Sequence, residues 1–237
     1  MSFLTAQWKN LIMANYTVNP ETLQKYLPAG TELDYWNGHC YVSLVGFLFK
    51  NTKILGLRIP NHTNFEEVNL RFYVKRFENN QWKRGVVFIQ EIVPKSAITF
   101  VANTFYKENY KTLIMQHENQ LKAEIRKVRY SWKNQKKTNH ILVNAYDFAT
   151  TIEEGSEAAF ITEHYFGYTK RNKNTTYEYE VKHPKWKQYP IKNFDIQIDF
   201  ENVYGNEFAF MNQLRPTSVI LAKGSEISVE NKRKIKL

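Results

Sequence analysis

The 237-residue sequence predicts a mainly β fold of the α+β kind, an antiparallel barrel or sandwich with a few short peripheral helices. Three observations carry this. Aromatic residues make up 15% of the chain, and such bulky side chains favour a pleated, half-buried surface. Short apolar runs recur between turn residues, whereas one-sided helical spacing is confined to brief segments. No regular strand–helix–strand alternation is present, which removes support for a wound parallel sheet.

The elements follow in chain order. Asn19 can cap a short helix that has Pro20 at its first position, carries Leu23, Tyr26 and Leu27 on one side, and stops at Pro28-Ala29-Gly30. Asn37-Gly38 is a turn signal before a strand over 39–49. The cleanest alternation spans 67–75: Val68, Leu70, Phe72 and Val74 point one way, and Glu67, Asn69, Arg71, Tyr73 and Lys75 the other. Segments 85–93 and 97–106 read as two more strands, separated by Pro94, which cannot donate to a central ladder. In 121–132 the apolar positions change phase, from Leu121, Ala123 and Ile125 to Val128, Tyr130 and Trp132, and a bulge near Arg126 or Lys127 would account for it. Strands are also predicted at 141–146, 176–182, 194–200 and 218–222, and helices after Ser156 and over 201–213. The basic tail at 232–237 is expected to fray.

Hydrophobic residues at 43% and charged residues at 24% fit a globular chain and exclude collagen, coiled coil and general disorder. With no repeat or compositional seam, a single domain over 1–237 is expected. The net charge of +10 is spread along the chain. Cys40, the single cysteine, cannot form an internal disulfide, and the N-terminus lacks a signal-peptide layout, so a cytoplasmic location is expected. No apolar run approaches the length needed to span a bilayer, so no membrane partner is predicted. Exposed strand edges or aromatic surface would allow a homo-oligomer.

Glu67, Asn69 and Arg71 share one strand face. If that face lines a cavity, Arg71 can hold a carboxylate with two hydrogen bonds and Glu67 can move a proton; if it lies outside, it is an ordinary wet surface. The string Glu163-His164-Tyr165-Phe166-Gly167-Tyr168 crowds a carboxylate, an imidazole and three rings, either as a proton-carrying wall or as a helix end followed by a glycine turn. The histidines form no short metal-ligand spacing, and P-loop, GxGxxG and GxSxG motifs are absent, so neither a metal nor another cofactor is called for. The stretch 122–137 holds Lys122, Arg126, Lys127, Arg129, Lys133, Lys136 and Lys137 around Tyr130 and Trp132. Single-strand binders combine cations and rings in this way, but a solvated strand face does too, and nucleic acid is the disfavoured partner.

Several stretches, in order, carry a resemblance: Phe3-Leu4-Thr5-Ala6-Gln7-Trp8, Leu27-Pro28-Ala29-Gly30-Thr31-Glu32-Leu33-Asp34, Tyr41-Val42-Ser43-Leu44-Val45-Gly46-Phe47, Asn64-Phe65-Glu66-Glu67-Val68-Asn69-Leu70-Arg71, Glu91-Ile92-Val93-Pro94, Glu163-His164-Tyr165-Phe166-Gly167-Tyr168, and His183-Pro184 with Trp186. Together they resemble the YqjF-like family of unknown function. The resemblance implies a fold similar to acetoacetate decarboxylase, a closed antiparallel barrel with an internal cavity. That enzyme forms a Schiff base through a lysine that follows a proline, and Lys95 after Pro94 occupies a similar position, with Ser96 where the relative has a second lysine. Such an amine must lose about 3 pKa units to attack a ketone at neutral pH.

The expectation is therefore a barrel holding a small organic, carboxylate-bearing ligand. Arg71 would be its anion anchor, with Asn69 beside it, Glu67 the proton carrier, Lys95 the imine former, and His164, Tyr165 and Tyr168 part of the wall. If catalytic, it would be a carbon–carbon lyase of decarboxylase type; the alternatives are a non-catalytic binding barrel and a nucleic-acid or partner module using 122–137.

Overall fold

The computed structural model describes residues 2–236, apart from the side chain of Tyr106. The first strands are β1 (Leu4–Thr17), β2 (Glu32–Leu33), β3 (Tyr41–Ile54), β4 (Phe65–Glu78), β5 (Gln81–Val93) and β6 (Tyr110–Thr112). Next come β7 (Met115–Lys122), β8 (Ile125–Asn134), β9 (Lys137–Tyr146), β10 (Thr150–Thr151), β11 (Phe166–Asn172) and β12 (Thr175–Lys182). The chain ends with β13 (Lys187–Tyr189), β14 (Ile191–Gln197), β15 (Ser218–Ala222), β16 (Glu226–Val229) and β17 (Arg233–Lys236). Among the described residues three α-helices, α1 (Ser96–Val101), α2 (Glu157–Thr162) and α3 (Phe200–Tyr204), join 3₁₀ turns over Pro20–Tyr26 and Asn206–Gln213. The fold is mainly β, and among the described residues no helix is long and apolar enough to cross a membrane.

The strands form a 13-stranded sheet and a four-stranded sheet among the described residues. In the larger sheet β1 pairs with β3, β3 with β4, and β4 with β5, all antiparallel. β5 pairs in parallel with β11, which pairs with β12; β12 pairs with β16, and β16 with β1. The smaller sheet runs β14–β9–β8–β7, antiparallel throughout.

The alternation in β4 sets the layers. Val68, Leu70, Phe72 and Val74 are fully buried in a core shared with Val128, Tyr130 and Trp132 of β8 and Ile141 and Val143 of β9. Each such side chain contributes roughly 2 kcal/mol of burial. Gly46 in β3 permits the close approach of the two sheets, since a Cβ there would stand 2.5 Å from Ile141 Cδ1. A second core on the other side of the strands includes Leu11, Met13, Tyr41, Val45, Phe47, Tyr73 and Phe160.

Asn19 caps the 3₁₀ turn by accepting the Glu21 amide at 3.0 Å, and the Ser156 hydroxyl accepts the Ala159 amide at 3.2 Å to start α2. Segment 97–106 is not a strand: it forms α1 followed by a π-helical turn over Ala102–Tyr106. Its β-branched and aromatic residues favour a strand, but Ala97, Ile98, Val101 and Ala102 at helical spacing cover a cavity, and that packing overrides propensity. The phase change in 121–132 is not a bulge either. Ala123 and Glu124, with φ of 46° and 62°, form a two-residue turn between β7 and β8. The expected helix over 201–213 breaks at Gly205, and the strand over 194–200 ends at Gln197 so that Asp199 can cap α3. Arg233–Lys236 of the supposedly frayed tail pairs with Thr175–Glu178, and Arg233 forms ion pairs with Glu78 and Glu178; Leu237 lies outside the described residues.

Candidate functional site

The face of β4 that carries Glu67, Asn69 and Arg71 borders a cavity of about 190 Å³. Most of its wall is apolar, with Trp8, Leu11, Val45, Phe47, Phe49 and Phe65 prominent, and α1 covers one side. The polar residues gather at the β4–β5 end. Antiparallel pairing sets Glu91 of β5 directly opposite Asn69, and parallel pairing sets Tyr110 of β6 beside Glu91. A register shift between Leu70 and Arg71 leaves Arg71 opposite Phe88. Glu108 reaches in from the segment before β6, and Tyr179 from β12. Gly167, opposite Tyr179, makes room for that ring: a Cβ at 167 would meet Tyr179 Cζ at 2.2 Å.

Glu67 and Glu91 are each 3% exposed and Asn69 2%. The Asn69 amide donates to Glu67 Oε1 at 3.0 Å, and the Tyr110 hydroxyl donates to Glu67 Oε2 at 3.0 Å. The Thr169 hydroxyl donates to Glu108 Oε1 at 2.6 Å, and Tyr179 also bonds that carboxyl. Burial is the main force on all three acids. It pushes Glu67 up to about 7, aided by the Glu108 charge and opposed by the bonds from Asn69 and Tyr110 and by the Arg71 cation. Burial likewise raises Glu108 to about 7, against Thr169, Tyr179 and the Lys232 charge. Glu91 is held well above the ordinary carboxyl range by burial and then by the charges of Glu108 and Glu67. The polar end therefore holds protons near neutral pH.

Arg71 donates through one terminal nitrogen to the Ile161 carbonyl at 3.3 Å and stands 5.6 Å over the Tyr73 ring. Its Nε has no protein partner, nor have Trp8 Nε1, Thr52 Oγ1, Asn69 Oδ1 and Glu91 Oε2, all on cavity-lining residues. Buried polar atoms are seldom left so, and these five belong to residues that line one hollow. Among the described residues no three His, Cys, Asp or Glu side chains stand together as a metal-holding group.

The structure thus brings Glu67, Asn69 and Arg71 into one cavity. Lys95 lies apart, half-buried ahead of α1, where its carbonyl accepts the Ile98 and Thr99 amides; the lining begins two residues later, at Ala97. His164, Tyr165 and Tyr168 do not line the cavity. His164 donates from Nε2 to Asp34 Oδ2 at 3.1 Å, and Arg84 donates to the same oxygen at 2.7 Å. Burial lowers His164 to about 4 against the pull of Asp34, which keeps the imidazole neutral. Tyr168 is buried between the sheets, and Tyr165 packs on the His183 ring at 4.8 Å. In 122–137 the rings of Tyr130 and Trp132 belong to the core, and Arg126, Lys127, Arg129 and Lys137 pair with acids, so no base-stacking surface is offered there.

Sequence reasoning missed Glu91, Glu108, Tyr110 and Tyr179. Glu91 had a signal: it is the single charged residue within the run 86–93, which is apolar apart from it and Gln90. Glu108 and Tyr110 had none, because they come from an irregular connection that only tertiary structure brings to the cavity.

The family DUF2071, described as an uncharacterized conserved protein, matches residues 5–226, and the chain belongs to it. The uncharacterized protein YqjF of Bacillus subtilis (strain 168) is 26% identical over 197 residues, 83% of this chain and 78% of YqjF. Among solved structures, the enduracididine biosynthesis enzyme MppR with HEPES bound matches with a TM-score of 0.70 and 12% identity over 100% of this chain and 89% of its own. An acetoacetate decarboxylase-like enzyme from Sphingomonas wittichii RW1 matches at 0.67 with 11% identity, over 100% and 94%. Acetoacetate decarboxylase from Legionella pneumophila matches at 0.65 with 10% identity, over 98% and 86%. The fold is acetoacetate decarboxylase-like.

Proposed function

We propose that this member of the DUF2071 family binds a small organic carboxylate inside a closed barrel and moves protons at it. The circuit of pairings β1–β3–β4–β5–β11–β12–β16, returning to β1, supports closure. The observation that carries the ligand class is the unpartnered Nε of Arg71 at the cavity, the single Lys or Arg among its described lining residues. A guanidinium with a free donor in an apolar hollow favours an anion with two oxygens. MppR has also been solved with pyruvate, a keto acid, which agrees in class.

Glu67 is the proton carrier. A carboxyl poised near 7 and bonded through Tyr110 can give a proton to, or take one from, a carbon next to the bound carboxylate at physiological pH. Proton transfer is preferred here over an imine at Lys95, since the nucleophilic amine must stand within the same space as the substrate.

Calorimetric titration with pyruvate, acetoacetate and longer apolar carboxylates tests the reading. At least one should bind, and Arg71→Ala should abolish that binding while the melting curve stays cooperative. Absence of binding across the series, or binding unchanged in Arg71→Ala, removes the proposal. Borohydride trapping of acetoacetate on Lys95 would instead restore the imine route.

A further inference from the structure

The unpartnered atoms around the cavity are not chemically alike. Arg71 Nε and Trp8 Nε1 are donors and call for an acceptor. Asn69 has already given its amide hydrogen to Glu67, so what remains is its acceptor, Oδ1; across the β4–β5 pair, Glu91 leaves Oε2. Asn69 and Glu91 stand one same-face step along β4 from Arg71, about 7 Å at the strand repeat. The two sides of the polar end thus ask for opposite things of a ligand.

From these atoms we infer that the ligand carries an amine beside its carboxylate: the cavity takes an apolar amino acid, its carboxylate on Arg71 and its ammonium between Asn69 Oδ1 and Glu91 Oε2. This inference rests on the carboxylate reading and adds the second group. The charges around the ammonium position agree with it. Glu67, Glu91 and Glu108 face it, with Tyr110 and Tyr179 beside them; the nearby cations are Arg71, at the other end, and Lys232, which acts on Glu108 from outside the lining. A carboxyl that keeps its proton because it is dry gives it up when a cation arrives, so binding of an ammonium group should release a proton near neutral pH. The remainder of the ligand would lie against Phe47, Phe49 and Phe65, which fits an aromatic or branched aliphatic side chain.

The test is calorimetry of the whole chain at pH 7 with two matched sets: phenylalanine, 3-phenylpropanoate and 2-phenylethylamine, then leucine, 4-methylpentanoate and 3-methylbutylamine. Each is run in phosphate and in Tris, whose different ionisation heats report proton release. In at least one set the amino acid should bind ten-fold or more tighter than the acid lacking the amine and should release protons that the acid does not. Glu91→Gln, isosteric and checked by its melting curve, should erase that preference. Equal binding of acid and amino acid overturns the inference and leaves the carboxylate reading standing, as does a preference that survives in both Glu91→Gln and Glu108→Gln. Binding of the amines without the acids keeps the ammonium position and overturns the carboxylate reading. Failure of all six ligands overturns both.

Discussion

Replacing Glu67 by glutamine should make the protein more stable at pH 8 than it is with its native residue, and by an amount that depends on pH in a defined way. In the folded chain burial keeps the Glu67 proton on up to about 7, whereas an exposed carboxyl releases it near 4.5. Between those values the folded chain binds more protons than the unfolded one, so native stability falls as pH rises, by about 1.4 kcal/mol per pH unit for this one group. Below 4.5 both states are protonated and the penalty vanishes; above 7 both are ionised and it levels off at roughly 3 kcal/mol. The glutamine side chain has nearly the same volume and no charge to desolvate; its oxygen accepts the Tyr110 hydroxyl, and its NH2 donates to Asn69 once that amide turns over to present Oδ1. Urea unfolding followed by tryptophan fluorescence, run on both proteins side by side from about pH 4.5 to 8.5, reads the difference, to which the relief of Glu91 from the Glu67 charge adds in the same direction. The stability difference should be near zero at the acid end and grow to roughly 3 kcal/mol in favour of Glu67→Gln. A difference that is flat over this window, or that runs the other way, would refute the claim that the carboxyl is buried away from water, and the site with it.

Three further outcomes follow from the same geometry. Asp34→Ala removes the shared partner of buried His164 and half-exposed Arg84 and should cost about 2–3 kcal/mol in urea unfolding at pH 7; Asp34 is held below its ordinary value by those two partners against burial, so the cost should shrink as pH falls through the acid range. Gly167→Ala places a methyl against the Tyr179 ring and should cost about 1–3 kcal/mol while weakening ligand binding through the lost Tyr179–Glu108 bond, measured by melting and calorimetry together. The double change Ala123→Asn, Glu124→Gly supplies residues suited to positive φ at the β7–β8 turn and should raise the melting temperature by about 2–4 °C, against no change if the turn is unstrained.

The strands were legible where local pattern and burial coincide. The alternation of β4 is visible because one of its faces is purely hydrocarbon, and 218–222 was bounded correctly because β15 is a short apolar run between turn residues. Legibility failed where local signals had two solutions. A period-2 phase change can come from a bulge or from a two-residue turn, and Ala123-Glu124 lacks the Asn or Gly that would announce a turn. A run such as Ser96-Ala97-Ile98-Thr99-Phe100-Val101 prefers a strand by propensity, and its helix exists because the cavity mouth is covered by it.

The site divides along the same line. Glu67, Asn69 and Arg71 could be grouped from their spacing alone, but a strand face turned to a hollow and one turned to bulk water both carry polar residues, and the pattern cannot separate them. What separates them is the wall opposite, assembled from β1, α1, β12 and the connection to β6, and no local window contains it. Lys95 illustrates the converse: a position after a proline resembles a nucleophile's in sequence, yet the chain turns into α1 there and leaves Lys95 outside the lining. The acids that do line the cavity come from β4, β5 and the segment before β6, so they form no motif, and only Glu91, within a mostly apolar run, stands out from a surface carboxylate by sequence. Buried together at one hollow, they hold protons that bulk water would have taken. The cost this adds to folding at neutral pH is the cost that an arriving ammonium group would offset, so the same carboxyls link stability to pH and to the proposed ligand.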